Sequence, residues 1–397
     1  MSMNDPLRVY VVWHPKNKIG AKLGKLIFEW LMKSSDEVWH LGLGIPVFFK
    51  LEPWWDDNGS FRNWVTTESN NRILVPLVDC HMVAGTTTKV WKFTKNKDTK
   101  TPKTGQNTKT EQNKTWFIPV ALDDSAFNMP ELRSHNFLRA QEFSSESPLQ
   151  VDLLRRNLTM ALISKLRGIL FKSTGPIKVF ISHVKAQGGQ IARLLHAAIV
   201  RQGQTDAFLD ELSIQTADND FVKTIEGECN SADAALAIIT DSFSSSRWCS
   251  KELHLLTKPR KLANEKYVFY RIPVIAILAT SSNSLSRLPD TTGGLSSISL
   301  AAEPDQDYWT LLIDGLFREL LLSTYLSFVA REKATSTSPG QSDPPFYVNW
   351  LPDIPSISVL LRQSGNSAGI VKYPGYGISS PEIKRVQEST SGKLEAW

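Results

Sequence analysis

Residues 236–253 read LAIITDSFSSSRWCSKEL and combine a strand signal, a serine-rich loop and a charged helix start. The apolar run Ala234–Ile239 has the length and composition of a buried strand. The helix that follows begins at Trp248 and Cys249 and carries Glu252 one turn later. A strand that feeds a helix places the intervening loop at the carboxyl edge of a parallel sheet, where open α/β folds bind their ligands. A carboxylate at such an edge can stabilise positive charge that develops on a bound substrate. Phe243 and Trp248 are aromatic neighbours in sequence, and Ser182-His183 ends another apolar run.

The elements that must position these residues alternate in type. Ile177–His183 is a short β-branched strand. Ile191–Arg201 carries Ile191, Leu194, Leu195, Ala198 and Ile199 at helical spacing. Ala207–Asp210 (AFLD) is a short strand and Phe221–Asn230 a helix. Arg271–Ala279 is a fully apolar strand, and Trp309–Val329 is a long helical pattern that closes the segment. Strands alternating with helices predict a parallel sheet covered on both faces.

This order of motifs, and "SxxxSxWCxxEL" (Ser242–Leu253) after an apolar strand in particular, resembles the Toll/interleukin-1 receptor (TIR) domain family. The resemblance covers about 150 residues. It implies a flavodoxin-like fold and, in the enzymatic members, cleavage of NAD by the glutamate of that motif, here Glu252. NAD is then a substrate and no cofactor is required. The resemblance further implies that Ser182, His183, Asp210, Phe243 and Trp248 line the nucleotide site. Two features depart from the family: Ala217 stands where a Gly is usual, and Val184–Gln190 has no acidic residue. A soluble chain of this kind looks like prokaryotic effectors that deplete NAD in antiphage defence after a sensor or nucleotide signal. It implies a cytoplasmic homo-oligomer with an activating partner. The alternative is a non-catalytic adaptor that binds other TIR domains.

Each candidate also has a purely structural reading. Trp248 can anchor a helix start, His183 can pack or cap, Asp210 can cap a loop, and Cys249 can act as a small buried hydrophobe. Glu226 and Glu228 lie on a helix too polar for a buried pair. Asp123-Asp124 suits a metal less well than a helix N-cap followed by a first-turn acid. The sequence has no Walker loop, no HExxH and no CxxC, and no metal site is expected.

The first third repeats the strand–helix order: strands at Leu7–Trp13, Gly44–Leu51, Arg72–Val78 and Trp116–Leu122, and helices at Ala21–Met32 and Val151–Leu170. This predicts an internal duplication. Residues 1–172 form a diverged, non-catalytic TIR-like domain, 173–332 the catalytic TIR domain, and 333–397 a linker with a short irregular C-terminal appendage. Lys92–Thr115 is rich in Lys, Thr and Asn and holds a single aromatic residue, Phe93, too few for a base-stacking platform. It reads as a solvated insertion, and direct nucleic-acid binding is not expected.

Composition agrees with this division. A chain of 397 residues suggests two or three domains, and 41% hydrophobic residues suffice for real cores. Cys80, Cys229 and Cys249 lie too far apart for a disulfide scaffold and suit a reducing compartment. A net charge of +5 over this length permits anionic ligands but selects none. No apolar run approaches a membrane span, and the start of the sequence lacks the pattern of a signal peptide.

Overall fold

A computed structural model describes residues 6–32, 43–50, 71–85, 114–129, 132, 134–140, 147–203, 205–209, 221–263, 265–279, 295–336, 345–350, 352, 360, 370–374 and 394–396. Asp210, the loop containing Ala217 and most of the Lys92–Thr115 insertion lie outside the described residues. The chain divides into two compact units, Met1–Leu162 and Ile163–Trp397.

The first unit is built on β1 (Arg8–Trp13), α1 (Lys18–Leu31), β2 (Val47–Lys50), β3 (Asn71–Val78), α2 (Cys80–Gly85), β4 (Lys114–Phe117), β5 (Val120–Ala121) and β6 (Leu138–Arg139). Its sheet runs β2-β1-β3-β5-β6, with β4 also on β3, and every pairing is parallel. Every residue of β1 and β3 is buried, as expected for strands covered on both faces. Asn17 caps α1 by accepting from the Gly20 N–H at 2.8 Å and donates to Asp79 at 2.7 Å, which ties the end of β1 to the end of β3. Gly20 and Gly24 share one helical face against Trp13; a Cβ on Gly24 would lie 2.6 Å from the indole. Asp123 is the N-cap of a 3-10 turn, with Asp124 in its first turn.

Helix α3 (Pro148–Leu170) leads into the second unit. There follow β7 (Ile177–Ser182), α4 (Lys185–Val200), β8 (Thr205–Phe208), α5 (Phe221–Ser231), β9 (Ala234–Ile239), α6 (Arg247–Thr257), β10 (Arg260–Lys261), β11 (Val268–Tyr270), β12 (Val274–Leu278), β13 (Ser296–Ser299) and α7 (Gln306–Ser336). A five-stranded parallel sheet runs β13-β12-β9-β7-β8. From its β8 edge this is the same spatial order as the first sheet, and it is the flavodoxin-like order. The fold is therefore α/β with parallel sheets.

The C-terminal segment contributes β14 (Phe346–Val348), β15 (Val371–Tyr373) and β16 (Leu394–Ala396). With β10 and β11 they make a third sheet, β10-β11-β14-β15-β16. Its core holds Phe269, Phe346, Val348, Val371 and Tyr373. Asn349 seats β14 on α7: its amide nitrogen donates to Ser323 and Ser327 hydroxyls at 2.9 Å, and its oxygen accepts from the Arg271 N–H at 2.9 Å.

Arg167, near the end of α3, clamps the entry to β7. Its guanidinium meets both Asp233 carboxylate oxygens, at 3.0 and 2.7 Å, and donates to the Gly175 and Pro176 carbonyls. Asp233 also accepts from the Lys178 N–H at 2.9 Å. Removing one partner of a buried pair strands the other charge. Arg167→Met is expected to destabilise the second unit by about 3–5 kcal/mol. Arg167→Met combined with Asp233→Asn is expected to recover part of that loss, both read from denaturant unfolding; equal stability of Arg167→Met and the parent would contradict the clamp.

Candidate functional site

In the second sheet the chain moves from β7 outward to β8, then crosses back to β9 on the other side of β7. The carboxyl ends of β7 and β9 therefore flank a topological switch point, where the two connections diverge and leave a crevice. Ser182 is the last residue of β7 and pairs in register with Ala237 of β9. His183 follows it. Helix α4 closes over this corner: a Cβ on Gly188 would lie 3.2 Å from the His183 Cβ and 3.4 Å from Ile238, so the glycine permits the close approach.

The loop after β9 is held on both sides. The Ser242 N–H donates to the Gln187 side-chain oxygen at 3.1 Å, and the Phe243 N–H donates to the Thr240 carbonyl at 3.0 Å. Ser246 is the N-cap of α6 and accepts from the Cys249 N–H at 3.3 Å. The buried face of α6 consists of Cys249, Glu252, Leu253, Leu256 and Thr257. Helical spacing puts Glu252 on that face, between Cys249 and Leu256. It is the one charged residue there.

A buried carboxylate requires compensation. Ser182 supplies part of it: its hydroxyl donates to Glu252 Oε2 at 2.6 Å, across 70 residues of sequence. Ser182 is 1% exposed and Glu252 8%. The Cys249 thiol donates to the His183 carbonyl at 3.4 Å, which fastens α6 to the end of β7 a second time. The charge on Glu252 is felt at Cys229 of α5. Burial, and then Glu252, push the Cys229 thiol up to about 12, so it remains protonated at neutral pH.

The structure brings Ser182, His183 and Glu252 together at one corner. His183 is 8% exposed. Phe243 is placed differently from Trp248. Its ring is 1% exposed and packs in the core with Phe180, Cys249 and Leu253, so it supports the loop from beneath. Trp248 is 43% exposed at the start of α6, with the Lys251 ammonium 5.5 Å from its ring centre. Lys251 also pairs with Glu226 at 2.6 Å. Sequence reasoning missed Gln187, which anchors the loop from α4; a glutamine in a polar first turn carries no local signal of that contact. Among the described residues, no group of three or more His, Cys, Asp or Glu side chains is arranged to hold a metal, and no helix is long and apolar enough to cross a membrane.

Residues 179–311 match the TIR domain family model, so a TIR domain lies within the second unit. No curated protein matches the chain. Among solved structures, a metazoan TIR-STING receptor from C. gigas in complex with 2′,3′-cGAMP is similar, with 15% identity and a TM-score of 0.27. The match covers 34% of this chain and 39% of that one.

The thiols give a direct check of this packing. Cys80 is exposed, whereas Cys229 and Cys249 are buried. Iodoacetamide at pH 8 is expected to modify Cys80 in the native protein and all three cysteines after unfolding, as read by peptide mass spectrometry. Native labelling of Cys229 at the rate of Cys80 would contradict the buried corner around Glu252.

Proposed function

We propose that the TIR domain cleaves the bond between nicotinamide and ribose in NAD, with Glu252 as the catalytic carboxylate. The observation that supports this most is a carboxylate on the buried face of α6, at the switch-point end of the sheet, held by Ser182. A carboxylate so deeply placed has a stability cost, and a role in chemistry accounts for keeping it there.

The chemistry asks little more of the protein. The nicotinamide ring is cationic in NAD and leaves neutral, so its departure needs no general acid. The C1′–N bond breaks, positive charge grows on the ribose ring, and water then adds to C1′ and releases a proton. Glu252 stabilises the developing oxocarbenium charge. Ser182 favours the ionised carboxylate by donating to it and fixes its direction. Trp248, exposed at the start of α6, offers a flat surface to the nucleotide, and His183 adds to the lining; Asp210 is assigned to the same nucleotide on the family resemblance alone.

In the cell this reading assigns the chain to prokaryotic antiphage defence: a cytoplasmic homo-oligomer that depletes NAD after a sensor or nucleotide signal. The first unit, with the same strand order, serves as a diverged TIR-like scaffold. A second reading, a non-catalytic adaptor that binds other TIR domains, is favoured by Ala217 and by the lack of an acidic residue in Val184–Gln190. Incubation of the purified chain with NAD separates the two: free nicotinamide supports cleavage, and its absence under every activating condition supports the adaptor.

Glu252→Gln keeps the size of the side chain and removes its charge. It is expected to lower kcat by roughly 10²–10³, with the fold retained by circular dichroism. Glu226→Gln, whose carboxylate sits in a half-exposed pair with Lys251, is expected to change activity little. Ser182→Ala is expected to cost about tenfold in kcat, because the Glu252 carboxylate loses the hydroxyl that donates to it and fixes its direction. Wild-type turnover by a folded Glu252→Gln protein would overturn the assignment.

A further inference from the structure

The opposite end of the same sheet carries a second feature that the NAD reading does not use. At the amino ends of β7 and β9 lies a cavity of about 330 Å³, lined by Lys178, Arg260, Tyr270, Phe171, Ile272 and Leu320 among others. Its volume falls at the lower end of the range of small-molecule sites.

The charges on its wall do not balance. Arg167 and Asp233 also line it, and they neutralise one another through a two-point contact. Lys178 reaches Glu228 at 3.7 Å on the exposed side. Arg260 shares the charge of Asp233 with Arg167 at longer range, and its direct hydrogen-bond partners are neutral. Its two terminal nitrogens donate to the Ala232 carbonyl at 2.7 Å and the Cys229 carbonyl at 2.6 Å, where α5 ends. Among the described residues no carboxylate comes within ion-pair distance of it. One carboxylate shared by two guanidiniums, with the buried Arg260 Nε making no hydrogen bond, compensates Arg260 poorly, and an anion entering the cavity would offset that cost. A guanidinium has five N–H groups, so two carbonyls leave donors over. The Tyr270 hydroxyl stands beside it as another hydrogen-bonding group. The lining also contains apolar residues, Phe171, Ile272 and Leu320.

The geometry points to a second binding site here, for a small organic anion that sets a carboxylate or phosphate against Arg260 and an apolar body against Phe171, Ile272 and Leu320. It is independent of the Glu252 corner, at the other end of β7.

Titration calorimetry at constant ionic strength tests this with benzoate, phenyl phosphate and the neutral benzyl alcohol. The full chain is expected to bind at least one of the two anions saturably at a single site, and the pair of anions decides between carboxylate and phosphate. Benzyl alcohol is expected to bind more weakly than that anion by at least tenfold. Arg260→Gln is expected to weaken the anion roughly 10–100-fold, the effect of a lost charge-assisted hydrogen bond. Ser231→Trp places a ring at an exposed position of the lining and leaves the Arg260 side chain unaltered, and is expected to weaken binding as much. It carries the test if Arg260→Gln does not fold. Glu252→Gln is expected to bind like the parent. The site is overturned if neither anion binds saturably, if benzyl alcohol binds as well as the anions, or if the anion binds folded Ser231→Trp as tightly as the parent.

Discussion

The second unit depends on one ion pair at the base of its sheet. Arg167 and Asp233 meet at two points, and between them they hold the end of α3, the turn through Gly175 and Pro176, and the first residues of β7. Burial pushes the Asp233 carboxyl up, while the Lys178 N–H and Arg167 pull it down. Because Asp233 immediately precedes β9 and bonds the second residue of β7, the pair sets where the two central strands start relative to each other. Their parallel register, Val179 with Ala234 through Ser182 with Ala237, then decides what stands at their far ends. The corner that holds Ser182 is positioned from the opposite end of the sheet.

Glu252 illustrates how a site can oppose the stability of its own scaffold. Its helix presents Cys249, Leu253 and Leu256 to the core, and an apolar residue in its place would complete that face. The carboxylate is tolerated because Ser182 donates to it at 2.6 Å. The neighbouring thiols remain passive: Cys229 is held protonated, and Cys249 spends its hydrogen on the His183 carbonyl. Of these groups, Ser182 donates to the carboxylate, whereas Cys249 donates to the backbone at the end of β7.

The two units make a useful contrast, because their sheets share a strand order but place different side chains at the carboxyl edge. In the first unit the strand corresponding to β9 is β3, and a polar residue, Asp79, follows its last residue, Val78. That carboxylate is occupied by structure: it accepts from Asn17 and from the Met82 N–H at 2.8 Å, and so caps α2 and ties two strand ends. Asp123, at the end of β5, likewise accepts from the Cys80 and Ser125 N–H groups. The same architecture thus supports different uses of its carboxyl edge, and function has to be argued from the side chains placed there.

Much of this was legible in the sequence because burial and period are local properties. The apolar runs of β1, β3, β7, β9 and β12 specified strands covered on both faces, and their alternation with helices specified parallel sheets. The sequence placed Glu252 one turn into a helix at the carboxyl edge of the sheet; its burial on the face shared with Cys249, Leu253 and Leu256 was decided by the packing of α6. What no local pattern contains is the choice of partner. Nothing in residues 236–253 names Ser182, which arrives from 70 positions away. Phe243 and Trp248 look alike in sequence, yet one packs in the core and the other faces solvent, because the cap at Ser246 turns the chain between them. The third sheet is the plainest case. Three-residue strands such as β14, β15 and β16 are too short to show a period, and only pairing along β11 and the seat of Asn349 on α7 make them strands at all.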